Sequence, residues 1–307
     1  MRRGPVHAIA VPAPLGDTGE AASAAEVRMR ARAIVGLLLV GSAGVAAAGE
    51  LVLPVFALRW PGKDGNRWSS EVYLTNPGGK AVRVGTGRFL PGIVQVVYAC
   101  LPPVPAWREV PPHTTVVWSL EQFSLDLGCP EFALGGLAFE ADGGVRIIAR
   151  VVNERGTEGS GPILAGYGQE VPAPGYAERA GPGAVWQLPG LVWHPNACGP
   201  PRFESYLYLA NPGDVAAEVT LMQFPDGREG TLVVSGQTVQ TPFTFTVPAQ
   251  GWRQLRVELG GILPAVCMQP QVVELFFTTS AGVAACAAVV DRSSQDPWTV
   301  LPVRTTP

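Results

Sequence analysis

The chain has 307 residues, of which 47% are hydrophobic and 15% charged, and its net charge at pH 7 is −3. This composition excludes a disordered chain, and the lack of a basic stripe argues against nucleic acid as a partner. The 37 Gly and 30 Pro residues follow no collagen-like period, so they predict many turns and few long helices. The length is enough for two domains.

The N-terminal part carries an export signal. A basic run at residues 28–32 precedes an apolar run at 33–40, and Ala46-Ala47-Ala48 follows as a small-residue cleavage site. We therefore expect a prefix and signal peptide over residues 1–48, with Met29 as the true start, and a secreted or cell-envelope location. The apolar run is too short for a comfortable membrane span, so no transmembrane span is expected in the mature chain. The alternative is a buried Ala-rich helix.

One motif occurs twice and predicts an internal duplication. Residues 71–79 return as residues 206–214, and each stretch of β-branched and aromatic residues ends in Asn-Pro-Gly. The offset of 135 residues, from Asn76 to Asn211, aligns much of the chain with few gaps. We expect a first repeat over 49–172, a Pro- and Gly-rich linker over 173–184 and a second repeat over 185–307.

The repeated motif is interpreted as a structural turn. In Asn76-Pro77-Gly78 and Asn211-Pro212-Gly213, Pro fixes φ at one corner position and Gly supplies a positive φ at the next. This chemistry predicts a type II turn that joins two paired strands. Turn formation accounts for all three residues without any ligand.

Short alternating segments punctuated by turns predict about seven strands in each repeat, which favours an antiparallel β-sandwich. An Asp-Gly turn near residue 142, and a Ser-Ala-Gly turn near residue 281, each predict a closing hairpin. The expected fold class is all-β, with two tandem immunoglobulin-like sandwiches. Each repeat is expected to begin with an extended entry segment, residues 51–58 and 185–192, and to continue with the strand before Asn-Pro-Gly. The further expected strands are 81–89, 93–98, 114–120, 136–140 and 145–152, and then 216–224, 230–235, 241–247, 251–259, 272–278 and 283–290.

The second motif, Leu209-Ala210-Asn211-Pro212-Gly213-Asp214 with Val219-Thr220-Leu221, resembles bacterial extracellular immunoglobulin-like modules of the cell-adhesion-related type. The first copy departs from that pattern at Gly79, which stands in place of the acid. The resemblance implies a β-sandwich in a surface setting. Such modules serve as spacers, adhesion units or glycan-binding attachments, and no catalytic residue carries over.

The sequence offers little chemistry for catalysis. His113 and His194 have no second His or acid at metal-ligand spacing, and no nucleophile elbow, phosphate loop or dinucleotide fingerprint is present. We therefore expect no catalytic, cofactor-binding or metal-binding residues, no cofactor and no enzyme activity.

Five cysteines in an exported chain predict disulfides. Cys129 aligns with Cys267, so within-repeat pairs would be Cys100 with Cys129 and Cys198 with Cys267. Cys286 is left over as a buried thiol in a strand, and pairing of Cys267 with Cys286 is the alternative.

The tryptophans suggest a ligand surface. Trp60, Trp107 and Trp193 lie near entry segments or in loops, where exposed rings could hold sugars, while burial between domains is the alternative. We expect a non-enzymatic structural or interaction protein, with an unknown protein or glycan at the cell surface as its partner. The alternatives are a glycan-binding module and a subunit of an extracellular polymer. Self-association in that polymer would use residues 49–58, which are apolar on both faces, as an added strand.

Overall fold

The computed structural model describes residues 49–62, 67–91, 106–119, 122, 132–154, 165–193, 203–259, 271–291 and 296–305. The predicted signal peptide and the predicted strand at 93–98 lie outside these residues. The all-β prediction is confirmed. The strands of the first repeat are β1 (Gly49–Leu58), β2 (Trp60–Pro61), β3 (Arg67–Asn76), β4 (Val82–Pro91), β5 (Trp107–Val110), β6 (Thr114–Trp118), β7 (Ala133–Ala141), β8 (Arg146–Glu154) and β9 (Ala165–Pro172).

One turn of 3-10 helix at Tyr176–Glu178 lies between the repeats. Among the described residues, the second repeat has an added β-hairpin, which follows its third strand in the chain. Its strands are β10 (Trp186–Trp193), β11 (Phe203–Asn211), β12 (Ala217–Met222), β13 (Gly230–Val234), β14 (Gln237–Thr241), β15 (Phe243–Val247), β16 (Gly251–Leu259), β17 (Gln271–Thr279), β18 (Ala284–Asp291), β19 (Asp296–Val300) and β20 (Val303–Arg304).

The same order of strand pairing occurs twice, and all pairs are antiparallel. In the first repeat, sheet 1A has the order β1-β7-β4-β5, and sheet 1B contains β6-β3-β8-β9 with β2 also on β3. In the second repeat, sheet 2A contains β10-β17-β12-β15, and sheet 2B contains β16-β11-β18-β19. Sheet 2A adds β20, and sheet 2B adds the β13–β14 hairpin. Each repeat buries one apolar cluster between its two sheets.

Strand β1 is apolar on both faces because both faces are buried. Its inward side chains, including Leu53 and Phe56, join the core of the first repeat. Its outward side chains, including Val52 and Val55, join a third cluster that also contains residues of the second repeat. Pairing with β7 runs from Gly49 to Leu58, so the segment considered for strand addition is engaged within its own chain.

The entry strands of the two repeats share a bulge at the same position. The register of β1 on β7 shifts between Leu53 and Phe56, and that of β10 on β17 shifts between Leu188 and Leu191. Pro54 and Pro189 lie inside these shifts. Because proline has no backbone N–H to donate to a ladder, a bulge is a position where it is tolerated.

The Asn-Pro-Gly motifs do not form hairpins, so that prediction is wrong. β3 and β4 lie in different sheets, as do β11 and β12, and each motif carries the chain from one sheet to the other. The closing hairpins are wrong for the same reason, since β7 and β8 lie in different sheets, as do β17 and β18. Short connections with turn residues suit a sheet-to-sheet crossover as well as a hairpin.

The type II turn is also wrong, because neither Gly78 nor Gly213 has a positive φ. The asparagine side chain organises the turn instead. Asn76 is fully buried, its Oδ1 accepts from Gly78 N–H at 2.9 Å, and its Nδ2 donates to the carbonyls of Lys80 and Val110. A Cβ on residue 78 would lie 3.2 Å from Asn76 Oδ1, and this close approach explains why the position holds glycine. Asn211 makes the equivalent bonds to Gly213, Val215, Val247 and Pro248.

The outer face of sheet 1A packs on the outer face of sheet 2B. Ala210 and Trp252 of the second repeat lie in the third cluster with Val52 and Leu90 of the first. A Cβ on Gly136 of β7 would lie 2.8 Å from the Cβ of Ala210, so this position requires a glycine. The predicted linker takes part in the contact, because Val52 N–H donates to the Pro174 carbonyl at 3.2 Å.

Charged groups also join the repeats. Arg88 donates to the Pro212 carbonyl at 2.7 Å and lies 3.3 Å from Glu50. Glu50 forms a second ion pair, with the buried Arg179, at a distance of 3.0 Å. The described residues all belong to one compact unit of the chain.

Candidate functional site

A cavity of about 280 Å³ lies where the two repeats meet, beside the third cluster. Residues of both repeats line it. Its aromatic and polar side chains include Trp60, Trp68 and Gln169 of the first repeat and Glu204, Tyr206, Tyr208 and Gln254 of the second. The volume is just below the range of about 300–1,000 Å³ that is usual for ligand pockets.

The first wall of the cavity is aromatic. Arg59 has a φ of 45°, in the left-handed region, where the chain leaves β1 of sheet 1A and enters β2 of sheet 1B. Trp60 and Trp68 are then direct partners in the β2–β3 pair. Directly opposite residues of an antiparallel pair place their side chains on the same face, so the two indoles are neighbours. Both are half-buried.

The second wall is polar and comes from β11. Glu204, Tyr206 and Tyr208 alternate along the strand and share its outward face. The Tyr206 hydroxyl donates to Glu204 Oε2 at 2.7 Å, and Arg256 lies 3.4 Å from Glu204 Oε1. Both contacts hold the carboxylate of Glu204, which is one of the residues that line the cavity.

Tyr208 marks the inner end of this wall. Its ring stacks on Trp252 with a centroid separation of 5.9 Å. Burial, and then the nearby Cys286 and Tyr206, raise the pKa of the Tyr208 phenol, while a hydrogen bond with Gln254 opposes that rise. Tyr208 is therefore a neutral phenol at physiological pH.

The structure separates the predicted tryptophan surface. Trp60 lines the cavity, where a ligand could contact its ring. It is also partly buried between the repeats, as the alternative of burial between domains expects. Trp107 lies on β5, away from the cavity lining, with 41% of its surface exposed and the Arg83 guanidinium 5.0 Å from its ring centroid. Trp193 ends β10, where its backbone pairs with Gln271, and its side chain is outside the described part of the chain.

Sequence reasoning missed most of the cavity. Trp68, Glu204, Tyr206, Gln169 and Gln254 line the cavity but are not among the candidate residues that the sequence indicates. One signal was present. Around the second motif, β11 carries Leu207 and Leu209 on one face and aromatic Tyr206 and Tyr208 on the other. A strand that is apolar on both faces indicates a second contact surface.

The remaining predicted residues lie elsewhere. His113 is exposed in a turn with a φ of 55°. His194 and the cysteines 100, 129, 198 and 267 lie outside the described residues. Cys286 is a free, buried thiol in β18, opposite Tyr208, as the sequence predicts. Within the described ranges, no group of three His, Cys, Asp or Glu side chains could hold a metal ion. No helix found in these ranges has the length and apolarity to span a membrane.

Comparison with known proteins does not identify a family. No protein-family model matches the chain, and no curated protein matches it. A search of solved structures returns a lectin from Pleurotus ostreatus, crystallised in complex with GalNAc, at 12% sequence identity over 86% of each chain. Its TM-score is 0.13, which is too low to show a shared fold, and the match carries no argument about function.

Proposed function

We propose that the protein is a non-enzymatic, exported interaction protein that binds carbohydrate in the cavity between its two immunoglobulin-like repeats. The observation that carries this proposal is the composition of the cavity walls. The paired indoles of Trp60 and Trp68 belong to one repeat, and the Glu204–Tyr206 pair belongs to the other.

This composition suits a sugar ring. A pyranose has a face of C–H groups, which packs on flat aromatic surfaces, and a rim of hydroxyls, which needs hydrogen-bond partners. Ligand sites generally combine apolar and aromatic walls with a few fixed polar groups. Here Trp60 and Trp68 supply the apolar surface, and Glu204 and Gln254 supply the polar groups.

The setting supports the same reading. The resemblance of residues 209–221 to extracellular immunoglobulin-like modules implies a surface protein, and the basic and apolar runs before Gly49 imply export. The repeated strand order is that of two β-sandwiches, which hold loops and inter-domain clefts in fixed positions. Binding sites commonly lie at such domain interfaces.

A glycan array followed by titration calorimetry on the best glycan tests the proposal. The Trp60→Ala variant should bind at least about tenfold more weakly, since it removes half of the aromatic wall. The matched control is Trp107→Ala, which removes an exposed indole outside the cavity and should bind like the unchanged protein. The proposal fails if no glycan binds, or if both variants weaken binding equally. Far-UV circular dichroism confirms that each variant is folded.

A further inference from the structure

We infer that Gln169 and Asn153 select the ligand of this cavity, by binding the hydroxyl groups of a sugar ring with their carboxamides. This inference rests on the proposed function and names the residues that determine its specificity. It follows from the positions of these two residues in sheet 1B and from the hydrogen bonds that their side chains leave open.

The two carboxamides lie at the end of sheet 1B that carries the tryptophans. Asn153 is the direct partner of Trp68, which is itself the partner of Trp60. Gln169 is the direct partner of Val151 on the next strand. Asn153 and Val151 are two positions apart, so the five side chains share one face of the sheet. Four of the five line the cavity, and Asn153 adjoins two of those four.

Gln169 contributes a hydrogen-bond donor that no described residue uses. Its side chain is buried, with 6% of the residue exposed. Its Oε1 accepts from the Thr299 hydroxyl of the other repeat at 3.2 Å. This bond leaves the amide nitrogen free, and the nitrogen has no partner among the described residues. Since Gln169 lines the cavity, a ligand oxygen there can accept from it.

Asn153 has two polar atoms that no described residue pairs with. The residue is 2% exposed, yet both Nδ2 and Oδ1 lack a hydrogen-bond partner in the described part of the chain. An unpaired buried polar group destabilises a fold, so native proteins keep few of them and each needs an explanation. A ligand that bonds both atoms provides one. Because both atoms are covered in the free protein, the ligand must move a neighbouring side chain to reach them, which is common on binding.

The open groups match adjacent hydroxyls of one ring. A carboxamide has a donor at one end and an acceptor at the other, and a hydroxyl can both donate and accept. Two neighbouring hydroxyls can therefore bond the two ends of Asn153, while another ligand oxygen accepts from Gln169. A ligand without hydroxyls would leave these groups unpaired. Sites built to hydrogen-bond a hydroxyl discriminate strongly against analogues that lack it.

Binding of defined sugars to the full-length protein tests the inference. The probes are the methyl pyranosides of glucose, galactose and mannose, and the monodeoxy derivatives of the one that binds best. Gln169→Met and Asn153→Leu nearly keep the size of the side chain and remove its hydrogen bonds, so each should bind that sugar at least about tenfold more weakly. One monodeoxy sugar should bind the unchanged protein about tenfold more weakly than its parent. Gln169→Met should bind the two within about threefold, since the same bond is lost in both.

Thermal unfolding without ligand separates recognition from a structural role. Removing a polar group that has no partner in the free protein should leave the unfolding midpoint unchanged or raise it. Asn153→Leu should therefore lose affinity without losing stability. Gln237→Met is the matched control, because Gln237 is exposed on β14. It should bind like the unchanged protein.

Two results overturn this inference and leave the proposed function standing. The first is that Gln169→Met and Asn153→Leu bind the sugar as tightly as the unchanged protein. The second is an unfolding midpoint that falls by more than about 4 °C in Asn153→Leu, because the carboxamide then stabilises the fold. If no hexopyranoside binds the unchanged protein, the inference fails, whereas the proposed function fails only if no glycan binds.

Discussion

The indole N–H of Trp252 donates a 2.6 Å hydrogen bond to the carbonyl of Pro54, and both groups are buried. Pro54 belongs to the first repeat and lies within its bulge, where the ladder with β7 is interrupted. The carbonyl is therefore available to a partner outside its own sheet. Trp252 provides that partner from the second repeat, with 1% of its surface exposed.

Replacing this indole should destabilise the whole protein. Trp252→Phe keeps most of the packing but leaves the Pro54 carbonyl buried and unpaired, which costs about 1–3 kcal/mol. The free energy of unfolding from urea denaturation measures the loss. Trp298→Phe is the control, since Trp298 is 38% exposed, and it should change stability by less than about 0.5 kcal/mol. Equal stability of the two variants would contradict the proposed role of the bond.

The buried asparagine of the second motif should matter more than its proline or glycine. Asn211→Ala removes the bonds to the Val215 and Pro248 carbonyls and to Gly213 N–H. Each group left unpaired costs about 1–3 kcal/mol, so the variant should be among the least stable single substitutions. Thermal unfolding provides the comparison. Gln240→Ala, at an exposed position of β14, should have little effect.

The close approach at Gly136 should not tolerate a methyl group. In Gly136→Ala the new Cβ would meet the Ala210 Cβ at 2.8 Å, so the two repeats must shift. Overpacking of this kind costs about 1–3 kcal/mol, and urea denaturation would show it. Gly282→Ala is the matched control, because a Cβ there meets nothing within 4 Å. An equal loss in both variants would mean that the repeat contact is not responsible.

Cys286 should make stability fall at high pH. Burial raises the pKa of its thiol above the ordinary value of 9.0, so the folded state keeps the proton while the unfolded state releases it above pH 9. The contribution is fully present below pH 9 and is lost as pH rises, by about 1.4 kcal/mol for each unit. Unfolding free energies at pH 8 and pH 10 should therefore differ more for the unchanged protein than for Cys286→Ala. An equal pH dependence in the two proteins would show that Cys286 does not contribute.

The protein should be a monomer at high concentration. The position of Trp252 in sheet 2B is occupied in sheet 1B by the exposed Thr115, whose hydroxyl bonds that of Thr75. Along the entry strand, Val52 of sheet 1A corresponds to Gln187 of sheet 2A. At these two positions, the faces of sheets 1B and 2A are thus more polar than the equivalent faces of sheets 2B and 1A, which form the contact between the repeats. Light scattering after size exclusion checks this, and a concentration-dependent polymer would favour the strand-addition alternative.

Local sequence patterns predicted the strands but not their partners. The offset of 135 residues places the bulges at Pro54 and Pro189 in the same position, and it aligns Ser70 with Ser205. Each serine hydroxyl bonds the backbone of the entry strand in the opposite sheet. The hairpin predictions failed because a turn sequence specifies a change of direction, whereas the choice of sheet depends on strands far away in sequence.

The cavity was beyond sequence reasoning for a related reason. Trp60 and Trp68 are eight positions apart, and their pairing across β2 and β3 could have been considered. The opposite wall begins at Glu204, in another repeat, and it faces them only because sheet 1A packs on sheet 2B. Strands that are apolar on both faces, such as β1 and β11, indicate a second contact surface, but this pattern does not say which surfaces meet.

Strand β1 is the first described strand to leave the ribosome, yet its neighbour β7 begins at Ala133. Its outward side chains gain their contacts in the second repeat later still, after Trp252 has been synthesised. A ten-residue apolar strand therefore stays without its backbone partner until β7 is made, and without its contacts in the second repeat for most of synthesis, which exposes it to aggregation. The same ten residues complete two apolar clusters, so a truncation that removed them would open both. Chaperone protection of the newly made chain should thus include this short segment.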